Sequence, residues 1–151
     1  MSVVELCLPA DVQYVGVARL VVTAAARLAG MDPERVEDLR IAVSEATANA
    51  VFAHRREGRE DPVTLRFGAT EDHQFAVTVV DSGPGFDPIA PAAAGRRDWQ
   101  HESGLGVTLI RGLADDVRFE RRAGMVVSMR FALELQDGGA PALVEDRGRP
   151  R

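Results

Sequence analysis

The spacing of apolar residues switches between helical and strand periods along this chain, and that switching limits the folds open to it. From Val12 to Leu28 apolar residues recur at three- and four-residue steps, at Val15, Ala18, Val22, Ala25 and Leu28, the period of a helix with one buried face. Asp11 can cap this first helix, and Gly30 supplies its stop. Asp32-Pro33-Glu34-Arg35 then restarts a helix: a capping aspartate, a proline where its missing N–H is not needed, and an acid in the first turn. The second helix is expected from Pro33 to Arg55, closed by the polar stretch 55–62. At Val63 the period drops to two. Residues 63–67 and 75–80 alternate or run apolar with β-branched side chains around the turn-like 69–73, which predicts an antiparallel hairpin.

The remaining segments complete the pattern. Residues 3–8 form a short apolar strand ended by Pro9. After Asp81 a Pro-, Ala- and Gly-rich stretch runs to near Ser103, a length that in a compact domain marks a functional lid or disorder. A short helix is expected over 107–114, led in by Gly104-Leu105-Gly106, then strands over 117–122 and 125–134 joined by a tight turn at Ala123-Gly124. Residues 136–151 are polar and rich in Gly, Pro and Arg, an expected disordered tail after a domain spanning 1–135. Strand, two helices, hairpin, helix, hairpin is the order of an α+β two-layer sandwich, with a mixed, mostly antiparallel sheet and helices on one face.

Composition fits one core. A chain of 151 residues with 46% hydrophobic side chains buries about 68–70% of the surface its unfolded form exposes, so no disulfide or metal staple is required. The one cysteine, Cys7, lies in an apolar stretch and is expected to be a small buried hydrophobe, which suits a reducing cytoplasm. A net charge of −5 is the wrong sign for gripping a nucleic acid backbone. No apolar run reaches the roughly 18–20 residues of a membrane span, and the N-terminus has no basic region leading into an apolar segment. The expectation is a soluble cytoplasmic protein that binds neither nucleic acid nor membrane.

Three motifs can carry chemistry. In Ser44-Glu45-Ala46-Thr47-Ala48-Asn49, Glu45 and Asn49 are four apart and share a helix face with apolar Ile41 and Phe52. A carboxylate and an amide beside buried surface need partners; on these residues alone a structural hydrogen bond and a metal or phosphate site are equally open. The second motif is Asp81-Ser82-Gly83-Pro84-Gly85, an acid at a strand end followed by two glycines. It is either an ordinary turn or a place where a flat ligand approaches the backbone and donates an amine proton to a carboxylate. The third, Ser103-Gly104-Leu105-Gly106, opens a helix where free N–H groups favour an anion, although glycine pairs before helices are common.

In this order and at these intervals the three motifs resemble the GHKL (Bergerat) ATP-binding fold of gyrase, heat-shock chaperones, histidine kinases and MutL. Within it, residues 3–134 look like the anti-sigma factor serine/threonine kinases of the RsbW/SpoIIAB type. The absence of a phosphoacceptor helical hairpin and the ending Leu113-Ala114-Asp115-Asp116-Val117 favour that branch over a stand-alone histidine kinase ATP-binding domain. The resemblance implies that Asn49 holds a Mg²⁺ on the ATP phosphates and Asp81 takes the adenine amine. Gly83 and Gly85 would shape the base pocket, and Ser103, Gly104, Leu105 and Gly106 would offer backbone N–H groups to the phosphates. Glu45 would be the general base for a serine or threonine hydroxyl. The stretch Asp87–Glu102 would be a lid, and the implied partners are a sigma factor, an anti-anti-sigma antagonist of the STAS type, and a second copy in a homodimer. The alternative function is a nucleotide-gated binding regulator without significant kinase activity.

The chain departs from that family at two places. His101-Glu102-Ser103 stands where some relatives carry an arginine, with Arg96 and Arg97 as distant substitutes. The family's histidine four residues after the motif asparagine is Ala53 here, with His54 one step later. His54, near a helix end, is expected to carry partial charge that suits the helix dipole. His73 is expected in a hairpin turn, Trp99 in the lid packing locally, and Arg121-Arg122 at a solvated strand end.

Overall fold

The computed structural model describes residues 2–83 and 103–134. The expected lid, with Arg96, Arg97 and Trp99, as well as Gly85 and the tail, lies outside the described residues.

Strand β1 (Val4–Leu8) is followed by a 3-10 turn at Val12–Tyr14, then helices α1 (Val15–Leu28) and α2 (Pro33–Arg56). Asp11 caps the 3-10 turn, accepting the Gln13 N–H at 3.1 Å, and the turn feeds directly into α1. Gly30, at φ 84°, ends α1. Its N–H donates to the Arg27 carbonyl and the Met31 N–H to that of Ala26, the paired bonds of a Schellman stop that need a left-handed residue between them. Asp32 restarts the chain as predicted, accepting the Glu34 N–H at 2.8 Å with Pro33 in the first turn; such a cap contributes about 1 kcal/mol.

The hairpin β2 (Val63–Ala69) and β3 (Gln74–Val80) follows, with His73 at φ 54° in its turn. After helix α3 (Ser103–Leu113) come β4 (Asp116–Arg121) and β5 (Met125–Ala132). The strands form one sheet in the order β1-β2-β3-β5-β4. Every pairing is antiparallel, so no parallel neighbour gives the described sheet a mixed character.

Alternation sorts the sheet's two faces. Val63, Leu65 and Phe67 of β2, Phe75, Val77 and Val79 of β3, and Met125, Val127, Met129 and Phe131 of β5 are buried together with Ala18, Val22 and Ala26 of α1 and Val36, Leu39, Val43, Ala46 and Ala50 of α2. Burying each large side chain contributes about 1.5–3 kcal/mol. The opposite face is polar, with Thr78 beside Ser128 and Arg66 paired to Glu5 at 2.6 Å. Cys7 belongs to that outer face: it is exposed, its Sγ 3.7 Å from Thr64 Oγ1. The expected burial fails because a strand turns Leu6 and Leu8 inward and must turn the residue between them outward.

Helix α3 begins at Ser103, four residues before the expected Val107, so both glycines lie within its first turn. Low helix propensity argues against that start; its packing on α2 overrides it. Arg35 ties the two helices at their other ends. Its guanidinium donates to the Leu113 carbonyl at 3.1 Å, pairs with Asp38 and Asp115 at 2.7 and 2.6 Å, and lies over the Phe131 ring. Among the described residues no helix is long and apolar enough to cross a membrane.

Candidate functional site

Helix α2 carries both ends of the site. Ala42, Val43, Ala46, Ala50 and Val51 face the core, which leaves Glu45 and Asn49 half-buried on its flank. Phe52 is half-buried on the same flank, but the expected apolar neighbour Ile41 is exposed. Thr47, on the inner side of this segment, is buried with its Oγ1 unpartnered among the described residues.

Gly106 of α3 lies directly against the pair. A Cβ on Gly106 would stand 3.3 Å from Glu45 Oε2, and 3.4 and 3.8 Å from Asn49 Nδ2 and Oδ1. The carboxylate and amide therefore converge on one spot, which a side chain at 106 would fill. The first turn of α3, Ser103 to Gly106, has backbone N–H groups without helical carbonyl partners, and these donors together with the dipole favour an anion. Gly106 is buried and Leu105 is exposed.

Asp81 forms the second cluster, one turn further along α2. Asn49 and Ala53 are four residues apart, so about 6 Å along the helix axis. Against Ala53 lies Gly83, where a Cβ would come within 2.8 Å of the Ala53 Cβ. The Asp81 carboxylate accepts two backbone N–H bonds at Oδ1, from Gly83 at 2.9 Å and Met125 at 3.2 Å. Its own N–H donates to the Met125 carbonyl at 3.0 Å. Burial pushes the Asp81 carboxyl above its ordinary value, and the two backbone bonds offset this in part. Gly124 closes the same corner, since a Cβ there would run into the Asp81 carbonyl and the Ser82 Cα.

His54 is fully buried, which corrects the expectation of a partly charged ring at a helix end. The Ser82 N–H donates to its Nε2 at 2.9 Å, so Nε2 is the acceptor and the proton is on Nδ1, which donates to the Asp61 carbonyl at 2.8 Å. This is the neutral ring. The Ser82 hydroxyl also donates to Asp61 Oδ2 at 2.9 Å, which with Arg59 holds the Asp61 carboxyl below the usual range.

Of the sequence-predicted site residues, Glu45, Asn49 and Gly106 are brought together, with Ser103, Gly104 and Leu105 in the adjoining turn. Asp81 and Gly83 form the neighbouring cluster, and Gly85 lies outside the described residues. His54, Ala53, Gly124 and Met125 also shape the candidate site, roles that the sequence did not assign to them. A glycine after Ala123 signals a turn, but nothing local signals that the turn abuts Asp81.

Residues 8–131 match the histidine kinase-like ATPase domain family. The chain is 37% identical over 135 residues to the serine-protein kinase RsbW of Bacillus subtilis, covering 83% of this chain and 82% of that protein. It is 38% identical over 134 residues to the RsbW of Listeria monocytogenes, covering 83% and 84%. In fold it is similar to the crystal structure of the RsbU and RsbW domains of a Mycobacterium tuberculosis protein, with a TM-score of 0.67 at 16% identity over 88% of this chain and 33% of that longer one.

Proposed function

Because the chain belongs to the histidine kinase-like ATPase family and is similar over most of its length to serine-protein kinases named RsbW, we propose that it is an ATP-dependent serine/threonine protein kinase that also acts as an anti-sigma factor. It phosphorylates an anti-anti-sigma antagonist of the STAS type and sequesters a sigma factor when that antagonist is absent. It works in the cytoplasm as a homodimer.

The observation that carries this reading is the meeting of Glu45, Asn49 and the first turn of α3 at Gly106. A carboxylate, an amide oxygen and helix-terminal N–H donors are the set that phosphoryl transfer requires: a proton acceptor, an oxygen ligand for a hard cation, and donors for an anion. Among the described residues no three His, Cys, Asp or Glu side chains converge as a metal-ligand group. A Mg²⁺ at Asn49 would therefore draw its other ligands from phosphate and water, as this ion usually does. Bound there, it would neutralise phosphate charge.

The chain's own groups divide the remaining work. Asp81 accepts the adenine amine, and Gly83 and Gly85 leave room for the flat base. Ser103, Gly104, Leu105 and Gly106 hold phosphate oxygens through backbone N–H groups. Glu45 takes the proton of the partner's hydroxyl as that oxygen bonds to the γ-phosphorus; the bond from the γ-phosphorus to the β–γ bridging oxygen breaks, and ADP leaves with the electron pair. The bare Gly106 leaves the space between the Glu45 and Asn49 side-chain ends open, and a side chain there would fill it.

Glu45→Gln tests the assignment. Removing a general base lowers the rate of partner phosphorylation about 10²–10⁴-fold, while ATP affinity holds. Mass spectrometry of the partner and calorimetric titration of Mg-ATP read the two separately. An unchanged rate would reject Glu45 as the base, and a wild type that binds ATP without phosphorylating any partner would favour the nucleotide-gated regulator.

A further inference from the structure

His54 plays no part in the chemistry above, yet it is the most completely buried titratable side chain close to Asp81. Both ring nitrogens are used. Nδ1–H holds the Asp61 carbonyl in the loop after α2, and Nε2 holds the N–H of Ser82, the residue between Asp81 and Gly83. The ring thus ties together two main-chain segments with no ladder of their own, at separations of 7 and 28 residues. Ser82 adds a second link, its hydroxyl lying 3.4 Å from Nε2 and donating to Asp61 Oδ2.

On the other side, the Asp81 carboxylate is held by the Gly83 and Met125 N–H groups, all at Oδ1. The direction in which this carboxylate faces therefore depends on where the 81–83 main chain sits. Two contacts set that position from α2: Gly83 against Ala53, and the Ser82 N–H on His54. Ala53 and His54 work as a pair, the small residue admitting the loop and the imidazole bonding it. Reversing the two would drive a side chain into Gly83 and withdraw the acceptor from Ser82.

We infer that His54 is a positioning residue for base recognition: by accepting the Ser82 N–H it fixes the main chain that aims Asp81 at an adenine amine. The inference rests on the nucleotide reading of the site and assigns to it a residue that touches neither nucleotide nor partner. Adenine presents an amine where guanine presents a carbonyl oxygen, and a fixed carboxylate accepts from the first and repels the second. Preference for ATP over GTP therefore measures how well Asp81 is held.

Two substitutions divide the ring's two bonds. Asn reaches the position of Nδ1 and leaves Ser82 without an acceptor; Gln reaches the position of Nε2 and leaves the Asp61 carbonyl without its donor. Calorimetric titration of Mg-ATP and Mg-GTP into the full chain is the measurement. His54→Asn is expected to bind ATP about tenfold more weakly, the effect of one lost buried hydrogen bond, with GTP changed by less than about twofold, so that the preference falls. His54→Gln is expected to stay within about threefold of wild type for both nucleotides.

A purely structural role would lower the melting temperature of both variants and leave the ATP-to-GTP ratio at its wild-type value, and that result overturns the inference while the nucleotide site stands. A wild type that binds neither nucleotide, or binds both alike, removes the reading of the site and the inference with it. If His54→Asn does not fold, hydrogen exchange at the Ser82 amide of the wild type decides. Protection that rises when Mg-ATP is added supports the inference, and an amide that exchanges freely, or is unaffected by Mg-ATP, overturns it.

Discussion

Asp81 shows at single-residue scale how a candidate site can cost stability. Its carboxyl is raised above the ordinary 3.8 because burial disfavours the charge more than two backbone N–H bonds restore it. The folded chain then binds this proton more tightly than the unfolded chain does. The stabilisation is complete below pH 3.8 and is lost as pH climbs through the raised folded value. Asp81→Asn keeps an oxygen for Gly83 and Met125 and has nothing to ionise. Its urea midpoint, relative to wild type, is expected to rise with pH across that window and then level off, while adenine binding is lost. Parallel pH curves for the two proteins would show that the carboxyl is not strained by burial. The asparagine is thus expected to be the better folded and the worse binder.

Among the elements, α3 makes the same trade. An isolated helix gains about 0.5–1 kcal/mol when an interior glycine becomes alanine, so Gly106→Ala is expected to leave thermal stability equal or higher. The new methyl group meets only the ends of two flexible side chains, at 3.3 and 3.4 Å, which can swing aside. Those ends are Glu45 and Asn49, and moving them separates the carboxylate from the amide. Nucleotide affinity and partner phosphorylation are expected to fall together while the melting temperature holds; a variant that melts early and retains affinity would make Gly106 a packing glycine alone. Arg35 belongs to this scale as well. By bonding the Leu113 carbonyl and Asp115 it anchors the far end of α3, so that the near end meets α2 at one register.

Across the whole molecule, one sheet face receives the helices and the other remains polar, and the site opens along α2, where α3 and the ends of β3 and β5 converge. A ligand that binds only this folded arrangement stabilises all of it. At 100 times its dissociation constant Mg-ATP is expected to add about 2.7 kcal/mol, or roughly 5–10 °C of melting temperature for a domain of this size, if it binds as proposed. Asn49→Ala is expected to abolish most of that shift with little change in the unliganded melting temperature, since Asn49 lies on the half-buried flank of α2 and outside the core. A full shift in the variant, followed by scanning calorimetry, would remove Asn49 from the phosphate end of the site.

What depended on neighbours in the chain was legible without coordinates. The Asp32-Pro33 start of α2, the Gly30 stop of α1, the two hairpins and the Glu45–Asn49 spacing each follow from interactions within a few residues. The tertiary structure alone decided what those pieces meet. His54 was misread as a charged helix end because its partners lie 7 and 28 residues away; Gly124 and Met125 were not connected with Asp81 because more than 40 residues intervene; α3 was started too late because its glycines are poor helix formers until α2 packs on them. Local bonds select elements from the sequence, whereas a buried donor takes whichever acceptor the packed chain brings to it.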